Sequence, residues 1–176
     1  MFAQYIPMMG TVEDDIIDCF RNGGGVPYEK FPRFHEVMAE DSGQTVLASL
    51  TEHILPLIPG LEEKLEQGIK VLDVGCGRGR AITLLAELYP HSTFVGVDLS
   101  AEAIEYATRE ATKKGLRNVD FQIRDVTDFD QQDSHARYDF ITTFDAVHDQ
   151  AKPLNVLKGI NRTLTDDGIY LMQDIH

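Results

Sequence analysis

The 176-residue sequence predicts an α/β fold, a doubly wound and mostly parallel sheet preceded by a helical segment. Three observations carry that expectation. From residue 69 onward, apolar runs of strand length alternate with segments of helical period. A glycine-rich turn joins the first of those strands to the first of those helices. Successive strands then end on or beside an acid, at Asp98, Asp125 and Asp145.

The elements follow in order. Residues 69–74 read as a strand. Residues 80–89 read as a helix with Ile82, Leu85 and Leu88 on one side, and 93–99 as a second strand. Ser100 is placed to cap a helix over 101–115, which Gly115 closes at the C′ position. In 119–126, Val119, Phe121 and Ile123 alternate with Asp120, Gln122 and Arg124, the pattern of a strand with one wet face at a sheet edge. Residues 138–147 form a buried strand, and Pro153 opens a helix over 153–164. Asp166-Asp167-Gly168 turns into a last strand, 169–175. Right-handed β-α-β crossovers then make the sheet mostly parallel.

Upstream the texture differs. Residues 1–67 hold Gly23-Gly24-Gly25, Pro27, Pro32, Pro56 and Pro59-Gly60, with short helices expected at 11–20, 34–40 and 42–57. In the last of these, Val46, Leu47, Leu50, Ile54 and Leu57 fall at helical spacing. The expected organisation is a helical lid or substrate segment over 1–67 and a ligand-binding core over 68–176.

Composition narrows the function classes. Hydrophobic residues are 43% of the chain, enough for one core. The net charge of −13 argues against nucleic acid and against an anionic membrane face. No apolar run reaches the roughly 18 residues that span a bilayer. Cys19 and Cys76 lie far apart without a second ligand nearby, which is neither a disulfide framework nor a zinc site. A reducing cytoplasm is the expected compartment. Asp128, Asp130 and Asp133 lack the full calcium-loop pattern and suit a solvated turn, so no metal is expected.

The chemistry concentrates in Val71-Leu72-Asp73-Val74-Gly75-Cys76-Gly77-Arg78-Gly79. Glycines here permit left-handed backbone and let a ligand approach the main chain at the carboxyl edge of the sheet. A dinucleotide site wants Gly-x-Gly-x-x-Gly, and this loop is off by one, since Arg80 stands where the third glycine belongs. Asp73, two residues before the first glycine, suits a ligand carrying an ammonium group better than a pyrophosphate.

These residues resemble motif I of the class I S-adenosylmethionine-dependent methyltransferases, and the later landmarks match in order. The resemblance implies a Rossmann-like core with S-adenosylmethionine as cofactor and S-adenosylhomocysteine as product. It implies that Asp73, Gly75, Cys76 and Gly77 form the loop at the cofactor. Asp98 with Leu99 would hold the ribose, and Asp125 with Val126 the adenine amino group. Phe144 and Asp145 would stand beside the methionine part and the substrate. A narrower likeness, through residues 21–28 and 144–150, is to a methyltransferase-like group whose longer members often carry an N-terminal winged-helix domain. The implied activity is methyl transfer to a small-molecule acceptor. A non-catalytic cofactor-binding or regulatory protein is the alternative, and a nicotinamide-dependent dehydrogenase a remote one.

For a catalytic base, His148 follows the fourth strand at the ligand edge and Tyr28 follows the triple glycine. Each has a plainer reading. His148 can cap a strand end or stack beside adenosine, and Tyr28 can pack the N-terminal segment, as Phe31 and Phe34 suggest. Cys76 fits the loop by its size rather than as a reactive thiol. The resembled family has a seven-stranded sheet, whereas five strands are counted here. The expectation is therefore a fragmentary chain, or a homodimer that covers the fifth strand's edge.

Overall fold

The computed structural model describes residues 2–132 and 136–175. Asp133 of the acidic trio lies outside them. The chain divides into two compact units, residues 1–45 and 46–176.

The first unit is helical. It holds α1 (Phe2–Gly10), α2 (Glu13–Asn22), a 3-10 turn Tyr28–Lys30, and α3 (Phe34–Ser42). Helix α1 is not foreseen from the sequence, because Pro7 lies inside it. It is tied to α3 by Gln4 Nε2 donating to Glu40 Oε2 at 2.7 Å and Tyr5 OH to Asp41 Oδ2 at 3.0 Å. Helix α2 starts two residues later than expected, with Glu13, Asp14 and Asp15 in its first turn, where the helix dipole favours acids.

The helix expected over 42–57 is wound differently. A π-helical turn, Gly43–Leu47, continues α3, a second runs Leu50–Ile54, and a 3-10 turn closes at Leu55–Leu57. The altered winding buries Val46, Leu50 and Leu55 and leaves Leu57 exposed. The unit boundary falls at residue 45 rather than 67. Leu50, Leu55, Leu61 and Leu65 form one apolar cluster with Val71, Ile82, Leu85 and Phe94, so the chain after residue 45 packs with the sheet. Helix α4 (Leu61–Gln67) supplies two of those leucines.

The second unit is a five-stranded, all-parallel sheet of order β3-β2-β1-β4-β5. Its strands are β1 (Lys70–Val74), β2 (Thr93–Asp98), β3 (Val119–Ile123), β4 (Tyr138–Phe144) and β5 (Leu164–Gln173). Helices α5 (Arg80–Leu88), α6 (Ala101–Lys113) and α7 (Pro153–Thr163) connect them. Alternate residues of the central strands feed two cores. Val71 and Phe140 join α5 and the leucines of 50–65, while Leu72 and Ile141 join Phe129, Val156 and Ile160. Covering both faces explains the unbroken apolar runs.

The expected caps form. Ser100 Oγ accepts from the Ala103 amide at 3.3 Å. At the other end of α6, Gly115 has φ +73°, its amide bonds Thr112 O, and the Leu116 amide bonds Ala111 O, a Schellman motif. Strand β3 lies at the edge, as its alternation suggests. Strand β5, by contrast, begins directly after α7. Leu164 pairs with Tyr138 and Ile169 with Phe140, so residues 165–168 form a bulge inside the strand instead of a turn before it.

Candidate active site

The strand order reverses between β1 and β4, and the loops that follow these strands meet there. A Cβ on Gly75 would stand 2.6 Å from the Ala146 Cβ, so only glycine lets the two loops approach. The loop after β1 is sewn to the end of β2. The Gly75 and Cys76 amides donate to Val97 O, and the Gly77 amide donates to Asp98 Oδ2 at 2.8 Å. The other oxygen, Asp98 Oδ1, accepts from the Ser100 amide at 2.9 Å, just before α6 begins. Gly75, Gly77 and Gly79 all have positive φ. Nothing lies within 4 Å of a Cβ built on Gly77, so the loop's crest faces open space. Cys76 tucks inward. A Cβ on Gly96 of β2 would come 2.9 Å from its sulfur, and burial, with the charges of Asp73 and Asp98, pushes its thiol well above the ordinary range. A thiol shifted in that direction is a weak nucleophile.

Asp73 is only 3% exposed. Its Oδ1 accepts from Thr142 Oγ1 at 2.8 Å, on the residue that faces it in β4. Burial raises its carboxyl to about 7, the Thr142 bond pulls it down, and the charge of Asp98 adds to the rise. Asp73 thus sits beneath the loop, inside the sheet.

Farther along the same edge, Leu99 offers an exposed apolar side chain next to Asp98. Asp125 is exposed; bonds from the Thr127 side chain and then its amide hold its carboxyl below the usual range. Val126 is buried beside it. Phe144 ends β4 partly buried, and Asp145 follows with φ +48°, unusual for a residue with a side chain. Gln173 holds Asp145 twice, its carbonyl accepting from the Asp145 amide at 2.9 Å and its Nε2 donating to Asp145 Oδ1 at 3.1 Å. His148 lies on this edge too, its Nδ1 2.5 Å from Asp174 Oδ1 and its Nε2 3.4 Å from Asp149 Oδ1.

The structure therefore gathers Asp73, Gly75, Cys76, Gly77, Asp98, Leu99, Asp125, Val126, Phe144, Asp145 and His148 along the carboxyl edge of one sheet. Tyr28 belongs to the first unit, where its ring stacks on Phe34 with centroids 4.5 Å apart. Asp128 bonds Lys152 at 2.7 Å and Asn155 at 3.2 Å, tying loops together. No group of three metal-ligating side chains occurs among the described residues. No helix among the described residues is long and apolar enough to cross a membrane.

A methyltransferase-domain profile matches residues 65–176, covering the whole sheet. The chain belongs to the class I S-adenosylmethionine-dependent methyltransferase family. An uncharacterised protein of Rickettsia prowazekii is 31% identical over 146 residues, 82% of this chain and 24% of that protein. The ubiquinone biosynthesis O-methyltransferase of Actinobacillus pleuropneumoniae is 31% identical over 112 residues, 62% of this chain and 47% of the enzyme. This chain thus spans about a quarter to a half of the length of these relatives. Among solved structures, PKMT2 of Rickettsia typhi in complex with AdoHcy is 30% identical, with a TM-score of 0.55 over 61% of this chain and 21% of that one. A SAM-dependent methyltransferase from Aquifex aeolicus shares the fold, with 22% identity and a TM-score of 0.60 over 78% of this chain and 71% of its own.

Sequence reasoning missed three members of this site: Thr142, Gln173 and Asp174. Asp174 carries the one available signal, since it is a further acid at the end of a strand. Thr142 becomes visible only once the register of β1 against β4 is known.

Proposed function

We propose that this chain binds S-adenosylmethionine at the carboxyl edge of its sheet and transfers the methyl group to a small-molecule acceptor by in-line displacement, leaving S-adenosylhomocysteine. One observation carries the reading: a left-handed glycine crest, open above Gly77, is bonded at its amide to the acid that ends the neighbouring strand. A ribose would find hydroxyl acceptors in Asp98, whose oxygens each keep lone pairs beyond the amides they already bind. Leu99 offers apolar surface to a base, with Val126 buried beside Asp125, and Asp125 offers a carboxylate to an exocyclic amine. Asp145 supplies negative charge near the loop, suited to a cationic ligand, and a cation bound there would favour the ionised form of Asp73 beneath it. When bound, the cofactor's sulfonium supplies a methyl group that is already activated. The protein's task is then to hold donor and acceptor in line, which is catalysis by proximity and orientation.

The acidic balance and the known relatives' names, an O-methyltransferase and N-methyltransferases among them, support a small acceptor over nucleic acid. Both cysteines are free, in keeping with a cytoplasmic setting. Among the described residues β5 pairs only with β4, which leaves its outer edge for a second copy of the chain. Titration calorimetry with S-adenosylhomocysteine tests the central claim. Binding is expected to the parent chain and to be lost in Gly77→Val; a parent chain that does not bind overturns the proposal.

A further inference from the structure

We propose that Asp73 is a proton-exchange group beneath the glycine loop: the free site stores a proton on it, and the ammonium of a bound cofactor drives that proton out to water. This rests on the cofactor reading above and deepens it by naming a regulation of that site, an affinity that rises with pH up to neutrality.

The arrangement of charges carries it. Asp73 is buried, and among the described residues its side chain has one hydrogen-bond partner, Thr142 Oγ1, 2.8 Å from Oδ1. An anion buried with a single donor is poorly compensated for the water it has lost. Asp98, at the end of the neighbouring strand, is better provided. Each of its oxygens accepts a backbone amide, Gly77 on Oδ2 and Ser100 on Oδ1, and such donors suit a charged acceptor. Its charge disfavours a second anion beside it, so Asp73 is the acid placed to hold a proton. Nothing packed around Asp73 offsets this. Its partner in β2 is Gly96, without a side chain, and its partner in β4 is the uncharged Thr142. The Cys76 thiol is pushed up by burial and by both acids. Arg78, the loop's own cation, is spent on Glu102 at 2.5 Å and lies over the Tyr106 ring. On the loop after β4, which meets Gly75 at Ala146, the titratable groups are Asp145, His148 and Asp149, with His148 between Asp149 and Asp174. Burial pushes the Asp73 carboxyl up to about 7, the Thr142 bond opposes the rise, and Asp98 adds to it.

An ammonium bound at the loop supplies the missing positive charge. The O–H bond of the Asp73 carboxyl then breaks, its electron pair stays on oxygen, and the proton passes to water. Thr142 serves both forms, since its hydroxyl can donate to the carbonyl oxygen of a neutral acid or to a carboxylate. The sign follows from linkage. Below the free site's value each cofactor that binds releases a proton, so affinity climbs with pH. Above that value the proton is already gone, and affinity levels off. With the free acid at about 7 and the loaded one ionised, the rise between pH 5 and pH 8 is about a hundredfold. Acidification thus empties the site.

The test is titration calorimetry of the full chain with S-adenosylhomocysteine at pH 5, 6 and 8. The parent is expected to bind about a hundredfold more tightly at pH 8 than at pH 5. At pH 6, in phosphate and again in imidazole, whose ionisation enthalpies differ, it is expected to release about 0.9 proton per ligand bound. Asp73→Asn is neutral at every pH and should keep the parent's pH 5 affinity throughout. The gap between the two proteins then opens from almost none at pH 5 to about a hundredfold at pH 8, while other titrating groups cancel. A gap of equal size at both values means that the free site already holds an anion, and no gap at either means that Asp73 stays neutral when loaded; both overturn the proposal. Should Asp73→Asn fail to fold, the 13C signal of the parent's Asp73 carboxyl at pH 6, assigned through its backbone, decides. It is expected to be protonated in the free chain and ionised in the loaded one, and any other pair of states overturns the proposal. A parent that binds at no pH sinks the cofactor reading and this proposal with it, whereas equal affinity at pH 5 and pH 8 sinks this proposal alone.

Discussion

Replacing Asp73 with Asn should change how stability depends on pH. In the folded chain Asp73 is pushed up to about 7, from an ordinary 3.8, mainly by burial. Its sign follows directly. Between those two values the folded state keeps a proton that the unfolded chain has released, so stability falls as pH rises, and the loss is complete above the folded value. At about 1.36 kcal/mol per unit, the full effect is about 4 kcal/mol, of which about 3 kcal/mol accrues between pH 5 and pH 8. Asp125, Asp128 and Glu110 have lowered carboxyls and are ionised across that window, and Cys76 titrates above it. All other groups cancel when the parent is compared with Asp73→Asn. Asn can still accept the Thr142 hydroxyl, so any remaining offset is independent of pH. The assay is urea unfolding at pH 5 and pH 8. With a slope of about 2 kcal/mol per molar, the gap between the two proteins' midpoints should widen by about 1–2 M at pH 8. Thr142→Val, which removes the bond that pulls Asp73 down, should carry the parent's transition to higher pH. A gap of equal size at both pH values would refute the reasoning.

Gly77→Ala should cost only about 1 kcal/mol, for its left-handed backbone, yet abolish S-adenosylhomocysteine binding in calorimetry, because its methyl group fills the space over the crest. Gly75→Ala should cost about 3 kcal/mol in the same urea assay, since it adds a collision with Ala146 to a similar backbone strain. Ser100→Ala should lower stability by about 1 kcal/mol, through the lost cap on the Ala103 amide.

How far the sequence could be read depended on which physical signal each segment carries. Strands β1 and β4 were legible because both faces are buried, so Val71 with Leu72 and Phe140 with Ile141 had to be apolar together. Helix α6 was legible at both ends because Ser100 and Gly115 do local work. The winding of 43–57 was not, since apolar residues spaced three and four apart satisfy an α-helix and a π-turn nearly alike. Helix α4 hides behind its charges, with Leu61 and Leu65 its only buried residues. The bulge at 165–168 uses the same Asp-Asp-Gly chemistry as a loop, so only the pairing of Leu164 with Tyr138 exposes it. At the site, the acids ending strands announced themselves. Their partners did not, because Thr142 meets Asp73 across 69 residues and Asp174 meets His148 across 26.

The acids along this edge serve the chain's own backbone as well as any ligand, and that decides how their variants must be interpreted. Asp98 receives one amide on each oxygen, Gly77 on Oδ2 and Ser100 on Oδ1. Asn at this position keeps a single oxygen, so one of those amides must face an NH2 group and lose its bond. Asp98→Asn should therefore cost about 1–3 kcal/mol in urea unfolding as well as weakening S-adenosylhomocysteine binding. Asp125 differs, because only one backbone amide, that of Thr127, depends on it, and Asn can still accept that amide through its one oxygen while the partly exposed Thr127 hydroxyl turns to water. Asp125→Asn should stay within about 0.5 kcal/mol of the parent, and any loss of affinity it shows reports on the ligand alone. The two variants together separate the acid that builds the glycine loop from the acid proposed to meet the adenine amine. Parent-like stability in Asp98→Asn would show that the Gly75–Gly79 loop is held by its bonds to Val97 instead.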